Sequence, residues 1–456
     1  MKLIFASPVR VTFGLVFVIC SQAFAQSTVG VETGPEQKWA ASWTTAPQGR
    51  WPGLAGNPAL VNFAFPVPDP PALPQANNQT LRMILKPDLW GDTMRIRLSN
   101  TWGTGPVTFG AVAIGLQSFS GATIAGTNTA VTFNGSRSVT VPAGQEIFSD
   151  AVKLTWVHMD KTDSVDPVVD GRNLAISMYV PGQSGPMTYH GNALQESFLS
   201  APDAGDHTMD DSDFAFPFET ASWFFVDAVD VMAPAETRVL VVTGSSSADG
   251  AITTPGNNDR FLNWISRRLH AAYGNLVSVT NEGIGGDTAA TPIPPQQHPL
   301  MQHLPERFER DVLGVSGVTD VLFYAGTNDF GDGIPPAQSI TALRRMVEIL
   351  HSRGIKAVGS TLVSNVHQRG TTEKTYEAHN EINNFILHSG VFDSTADFYA
   401  ATVDPDDPDQ ALLPAYATHS DPPSPFDFLH LGRAGAQAEG MSVDIDFFAP
   451  RKVKLD

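Results

Sequence analysis

Hydrophobic periodicity changes character once along this chain, at Ala233-Pro234-Ala235, and that change limits the folds open to it. Before it, Met94-Arg95-Ile96-Arg97-Leu98 and Leu174-Ala175-Ile176-Ser177-Met178-Tyr179-Val180 alternate apolar with polar. A period of two predicts strands with one buried face. Asn134-Gly135, with Val131 and Phe133 before it and Val139 and Val141 after it, predicts a hairpin. Gly and Pro recur at intervals suited to antiparallel strands, and helical spacing is hard to find.

After the junction, β-branched runs at 238–243, 276–281, 318–324 and 355–360 alternate with stretches of helical spacing at 257–273, 304–313, 337–351 and 373–388. In 257–273 the apolar residues Phe261, Ile265, Leu269 and Ala272 fall three or four apart, as on a helix covering one face of a sheet. Alternation of strand and helix predicts a parallel sheet with helices on both faces. At 456 residues two domains are expected: an all-β, sandwich-like domain over 37–235 and a three-layer α/β/α domain over 236–456.

Residues 1–25 read as a cleavable secretory leader. Lys2 and Arg10 precede an apolar run from Val11 to Cys20, and Ala23-Phe24-Ala25 supplies a small-x-small cleavage site before Gln26. The run is too short to span a bilayer. Val18-Ile19 before Cys20 argues against lipidation there, since small residues are expected at those positions. The leader holds the one cysteine, so a secreted or bacterial periplasmic protein without disulfides is expected. The chain carries 28 basic and 47 acidic residues, a formal charge of −19. That balance argues against nucleic acid and anionic membrane surfaces as partners. Two acidic stretches, 203–213 and 404–409, lack the spacing of a calcium loop and read as solvated.

Four short segments of the second half carry chemistry. Gly244-Ser245-Ser246-Ser247-Ala248-Asp249-Gly250 follows the strand 238–243. A serine there has an exposed hydroxyl and a free backbone N–H, although serine is also a common helix cap. In Asn281-Glu282-Gly283-Ile284-Gly285-Gly286, glycine lets the backbone approach a ligand closely. In Gly326-Thr327-Asn328-Asp329 the Asn328 amide can donate to a developing alkoxide or simply stabilise its own loop. Asp427 and His430 stand three apart and can lie on one side of a turn, where the carboxylate could fix the imidazole tautomer, although such a pair is also common at a surface or as a cap. His298 and His303, in a Pro- and Gln-rich insertion, read as surface residues.

In this order the four segments resemble the blocks of the SGNH (GDSL-type) hydrolase superfamily, over roughly 238–443. Trp39-Ala40-Ala41-Ser42-Trp43 and Asn78-Gln79-Thr80-Leu81-Arg82 resemble the β-rich extension of a secreted subgroup. The family's first block ends in Asp-Gly, and placing Asp249-Gly250 there makes Ser246 the nucleophile among the three serines. The resemblance implies His430 as base, Asp427 as its orienting acid, and an oxyanion hole built from the N–H of Ser246, the N–H of Gly286 and the amide of Asn328. It implies a flavodoxin-like catalytic domain and no metal or organic cofactor. Ser245 departs from the family, which usually has Asp before the nucleophile. The expected activity is hydrolysis of carboxylic (acyl) esters, with short acyl groups on carbohydrates as first expectation. A lipase- or phospholipase-like substrate, or a non-catalytic carbohydrate-binding protein on a hydrolase scaffold, are the alternatives.

Overall fold

The computed structural model describes residues 36–50, 75–159, 169–293, 302–368, 371–416 and 429–450. The leader, His298 and Asp427 lie outside them. The C-terminal domain is α/β. Its five strands are all parallel, in the order Val277–Gly283, Arg238–Gly244, Asp320–Tyr324, Lys356–Ser360 and Ser394–Ala396. In chain order that is 2-1-3-4-5, the flavodoxin-like winding. The direction of winding reverses between the first and third strands, opening a crevice at their carboxyl ends.

Helices Phe261–Tyr273, Pro336–Ser352 and Glu373–His388 occupy three of the predicted spans. The first starts four residues late. Residues 257–260 instead follow a turn at 255–256 as irregular chain, in which Asn258 takes φ 47° and the Asp259 carboxylate accepts from Thr254 N–H. The fourth predicted span opens as helix Leu304–Phe308 and widens to a π-helical turn over Glu309–Leu313.

The N-terminal region is strand-rich, with no helix among its described residues. One antiparallel sheet orders Gln37–Thr44, Val226–Pro234, Thr93–Ser99 and Glu146–Phe148; a second is centred on Asn77–Leu85, Leu174–Gln183 and Ala111–Phe119. At Asn134-Gly135 both residues take positive φ, 51° and 77°, and the Asp150 carboxylate accepts both their N–H groups. The tight turn is therefore present, but its arms part after one bridge, Phe133 to Ser136. Thr129–Val131 pairs with Ala111–Phe119, while Val139–Val141 pairs with Val107–Phe109.

The strand Thr93–Ser99 corrects a second expectation. Its polar positions do not face water. Arg95 pairs with Asp230 and Arg97 with Asp227, each at 2.8 Å. Arg95 also donates to Ser316 Oγ, and Arg97 to the Gly314 carbonyl of the α/β domain. The alternating pattern marked two buried faces, one apolar and one ionic. The strand Gln37–Thr44 lies alongside Val277–Gly283, where Ser278 Oγ donates to the Ala41 carbonyl at 2.6 Å. Asp88 accepts from Ser266 Oγ, from Val279 N–H and from the His270 imidazole. Burial would lower the basicity of His270, but Asp88 outweighs it and raises its pKa to about 9. Beneath these polar links one apolar core runs without a break from Met83, Leu98 and Val229 to Val241, Leu322 and Phe323.

Candidate active site

The strand Arg238–Gly244 delivers the chain to the crevice. Gly244 has φ 147°, and a Cβ there would stand 2.0 Å from the Tyr324 carbonyl oxygen, so only glycine fits against the neighbouring strand. Ser245 follows in an extended conformation as N-cap of a one-turn helix, Ser246–Asp249, and Gly250 ends that helix in the left-handed region. The first N–H groups of a helix have no intrahelical acceptor, which leaves that of Ser246 to serve a ligand.

The three serines have different surroundings. Ser245 is buried, at 2% exposure, and its N–H points to the Tyr324 carbonyl at 3.4 Å. Ser247 borders Tyr324 and Glu439 behind the helix. Ser246 is half-buried, and its Oγ lies 2.7 Å from His430 Nε2. The structure thus brings together two residues 184 positions apart. Asp427 lies outside the described residues.

The glycine loop packs directly on this helix. A Cβ on Gly283 would collide with Asp249 N at 2.3 Å, and one on Gly285 would lie 3.8 Å from Ser246 Cβ. Gly286 is exposed at φ 86°. Asn328, at the start of helix Thr327–Gly331, donates from Nδ2 to the Asp287 carbonyl at 2.8 Å. An amide carries two N–H donors, so this bond orients the side chain and leaves the second N–H available. Asp329 holds the same loops from below, accepting from Ala289 N–H at 2.8 Å and Ser339 Oγ at 2.6 Å.

Two residues that sequence reasoning missed support these loops. Arg307 is fully buried. It donates twice to Asp287 Oδ2 (2.9 and 2.7 Å), to Asp311 Oδ2 (3.2 Å), and to the Glu282 (2.8 Å) and Gly244 (3.3 Å) carbonyls. One guanidinium therefore ties the turn before the nucleophile to both ends of the glycine loop. The signal was there to read: Arg307 and Asp311 are four apart, beside Leu304, Phe308 and Val312 on the apolar stripe of their helix. His303, expected at the surface, is likewise buried and lies 2.7 Å from Thr288 Oγ1 through Nδ1.

Glu439, on helix Arg433–Ser442, accepts from the Tyr324 hydroxyl at 2.8 Å. Burial raises its pKa to about 8, against the usual carboxyl value of 4.5. With the folded pKa above the unfolded one, the native state binds the extra proton between them. The stability this carboxyl contributes is fully present below about 4.5 and is lost as pH rises towards 8. Glu439→Gln keeps an acceptor for Tyr324 and removes this titration. The wild type is expected to lose on the order of 3–5 kcal/mol between pH 4.5 and 8 relative to the variant, read from urea midpoints across that range.

Residues 242–438 match the GDSL-like Lipase/Acylhydrolase family. The C-terminal domain is accordingly an SGNH (GDSL-type) hydrolase domain, as its sequence blocks suggested. No curated protein matches the chain. Among solved structures, an acetylxylan esterase from Geobacillus stearothermophilus is 18% identical, with a TM-score of 0.33 over 45% of this chain and 91% of its own. A GDSL-like lipase from Bacteroides thetaiotaomicron VPI-5482 is 16% identical, with a TM-score of 0.31 over 45% of this chain and 85% of its own. Among the described residues no helix is long and apolar enough to cross a membrane.

Proposed function

We propose that the protein is an exported serine ester hydrolase acting on carboxylic esters, with short acyl groups on carbohydrates as its substrates. The observation that carries this reading is the 2.7 Å approach of His430 Nε2 to Ser246 Oγ, at the crevice where the sheet winding reverses. Ser246 Oγ attacks the ester carbonyl as His430 takes its proton. The orienting acid assigned to this step is Asp427, which would accept from the other ring nitrogen and stabilise the imidazolium. The N–H groups of Ser246 and Gly286 and the second amide hydrogen of Asn328 receive the oxyanion. His430 then protonates the departing alcohol, and water enters by the reverse path to release the acid. The domain family supports hydrolase chemistry; the choice of carbohydrate esters rests on the leader-like N-terminus and the strand-rich region.

Purified protein is expected to hydrolyse a short-chain nitrophenyl ester and to incorporate one fluorophosphonate, recovered by peptide mapping on Ser246. Labelling on Ser245 or Ser247 would move the nucleophile, and no labelling with no turnover would end the esterase reading. Acetylated oligosaccharides should be turned over faster than medium-chain glycerides; the reverse order would favour a lipid substrate. Asn328→Ala removes one oxyanion donor, so kcat is expected to fall about 10²- to 10³-fold with KM little changed. A loss confined to KM would remove Asn328 from the oxyanion hole.

A further inference from the structure

A histidine–aspartate pair lies behind the nucleophile, and its histidine comes from the strand-rich region. His190 ends the strand Thr188–His190, which is held between Trp223–Phe224 and Gln48–Arg50. Its Nδ1 lies 2.9 Å from the Ala46 carbonyl and its Nε2 lies 3.0 Å from Asp249 Oδ1. Both side chains are buried, at 3% and 1% exposure. A carbonyl can only accept, so Nδ1 carries a hydrogen. A hydrogen must also lie between Nε2 and Asp249 Oδ1 for their 3.0 Å contact to form, so the carboxylate is not left bare.

Asp249 is the last residue of the one-turn helix that begins at Ser246. Its second oxygen, Oδ2, is buried with no hydrogen-bond partner among the described residues. It borders the glycine loop: a Cβ on Gly285 would stand 4.0 Å from it and 3.8 Å from Ser246 Cβ. The main chain of the helix is held from the same side, because Arg260 Nε donates to the Asp249 carbonyl at 2.6 Å while its Nη2 reaches the Ala193 carbonyl at 2.8 Å. Residues 190–193 therefore grip the nucleophile helix through both its side chain and its backbone. A bare carboxylate here would oppose a negative charge growing on the substrate oxygen nearby, and burial would leave that repulsion largely unscreened.

We propose that His190 is a positioning residue of the esterase site: it holds Asp249, and with it the Ser246 helix, and neutralises a carboxylate bordering the oxyanion loop. The proposal rests on the esterase reading above. It makes the strand-rich region part of the hydrolytic site, whatever it adds to substrate binding.

The test compares wild type, His190→Ala, His190→Gln, Asp249→Asn and the double variant His190→Ala/Asp249→Asn on a short-chain nitrophenyl ester. His190→Ala should lower kcat about 30- to 100-fold with KM within about threefold, the scale expected of a small displacement of reacting groups. His190→Gln, which keeps one donor for Asp249, should lose less. The double variant should recover at least about tenfold over His190→Ala, because a neutral amide no longer opposes the oxyanion. A kcat for His190→Ala near wild type, a loss confined to KM, or a double variant as slow as the single one would each overturn the proposal. If wild type hydrolyses no ester and Ser246 takes no label, the esterase reading fails by itself. Melting midpoints then judge the pair: non-additive shifts in the double variant uphold the coupling, and additive shifts overturn it.

Discussion

Ser246→Ala is expected to lower kcat for ester hydrolysis by about four to six orders of magnitude, leaving only what binding and the oxyanion donors supply. The substitution removes one oxygen from a half-buried side chain on a helix held by Gly244, Gly250 and the glycine loop, so melting should shift by little. The flanking serines provide the contrast. Ser245 lies buried against the Tyr324 strand, and Ser247 faces the Tyr324–Glu439 pair, so neither hydroxyl is placed to give its proton to His430. Ser245→Ala and Ser247→Ala should each keep more than about a tenth of wild-type kcat, because they touch the support of the turn and not the bond-forming atom. Turnover by Ser246→Ala above about one hundredth of wild type would contradict a covalent mechanism through this residue.

Arg307→Leu is expected to cost about 3–5 kcal/mol of stability, measured as a shift in urea midpoint at constant slope. The guanidinium lies among buried Asp287, Asp311 and Glu282, with Arg310 pairing to Asp311 beside it. Burial alone would lower its proton affinity, and these carboxylates outweigh it. Replacing it with a shorter apolar chain leaves Asp287 buried without its cation and Asp311 with Arg310 alone, and the Gly244 and Glu282 carbonyls each lose a donor. Which effect dominates follows from magnitude: a lost neutral hydrogen bond is worth about 1 kcal/mol, whereas an uncompensated buried charge costs several. Arg307→Lys restores the charge but not the planar fork that reaches five acceptor contacts. It should recover part of the stability while kcat stays depressed about tenfold or more, since the loops it aligned carry the nucleophile and the oxyanion donors. Equal stability of Arg307→Leu and wild type would show that the buried charges rearrange freely, contrary to the tight packing around them.

Local pattern was enough for much of this molecule. The strand–helix alternation after Ala233-Pro234-Ala235 predicted the parallel sheet, and helix Glu373–His388 runs over the span its spacing suggested. The glycines of 244–250 and 283–286 were legible because tight backbone approach leaves few other residues possible. Ser246 was singled out by register against a family motif, and the structure sets its hydroxyl against His430. Where signals were local in sequence, at turns, caps and amphipathic faces, the residues carried them in plain view.

Contacts between distant segments were not visible in that way. Arg95 and Arg97 looked solvent-facing because a polar residue on alternating positions carries no mark of whether water or a second layer covers it. Arg307 sat on an apolar stripe, yet its partners lie in other loops. His190 and Asp249 are 59 residues apart and meet only because the strand-rich region packs on the α/β domain. Periodicity reports how one segment orients its own side chains. Which charge neutralises which, and which imidazole reaches which hydroxyl, depends on how separate elements stack, and those distances exist only once the chain has folded.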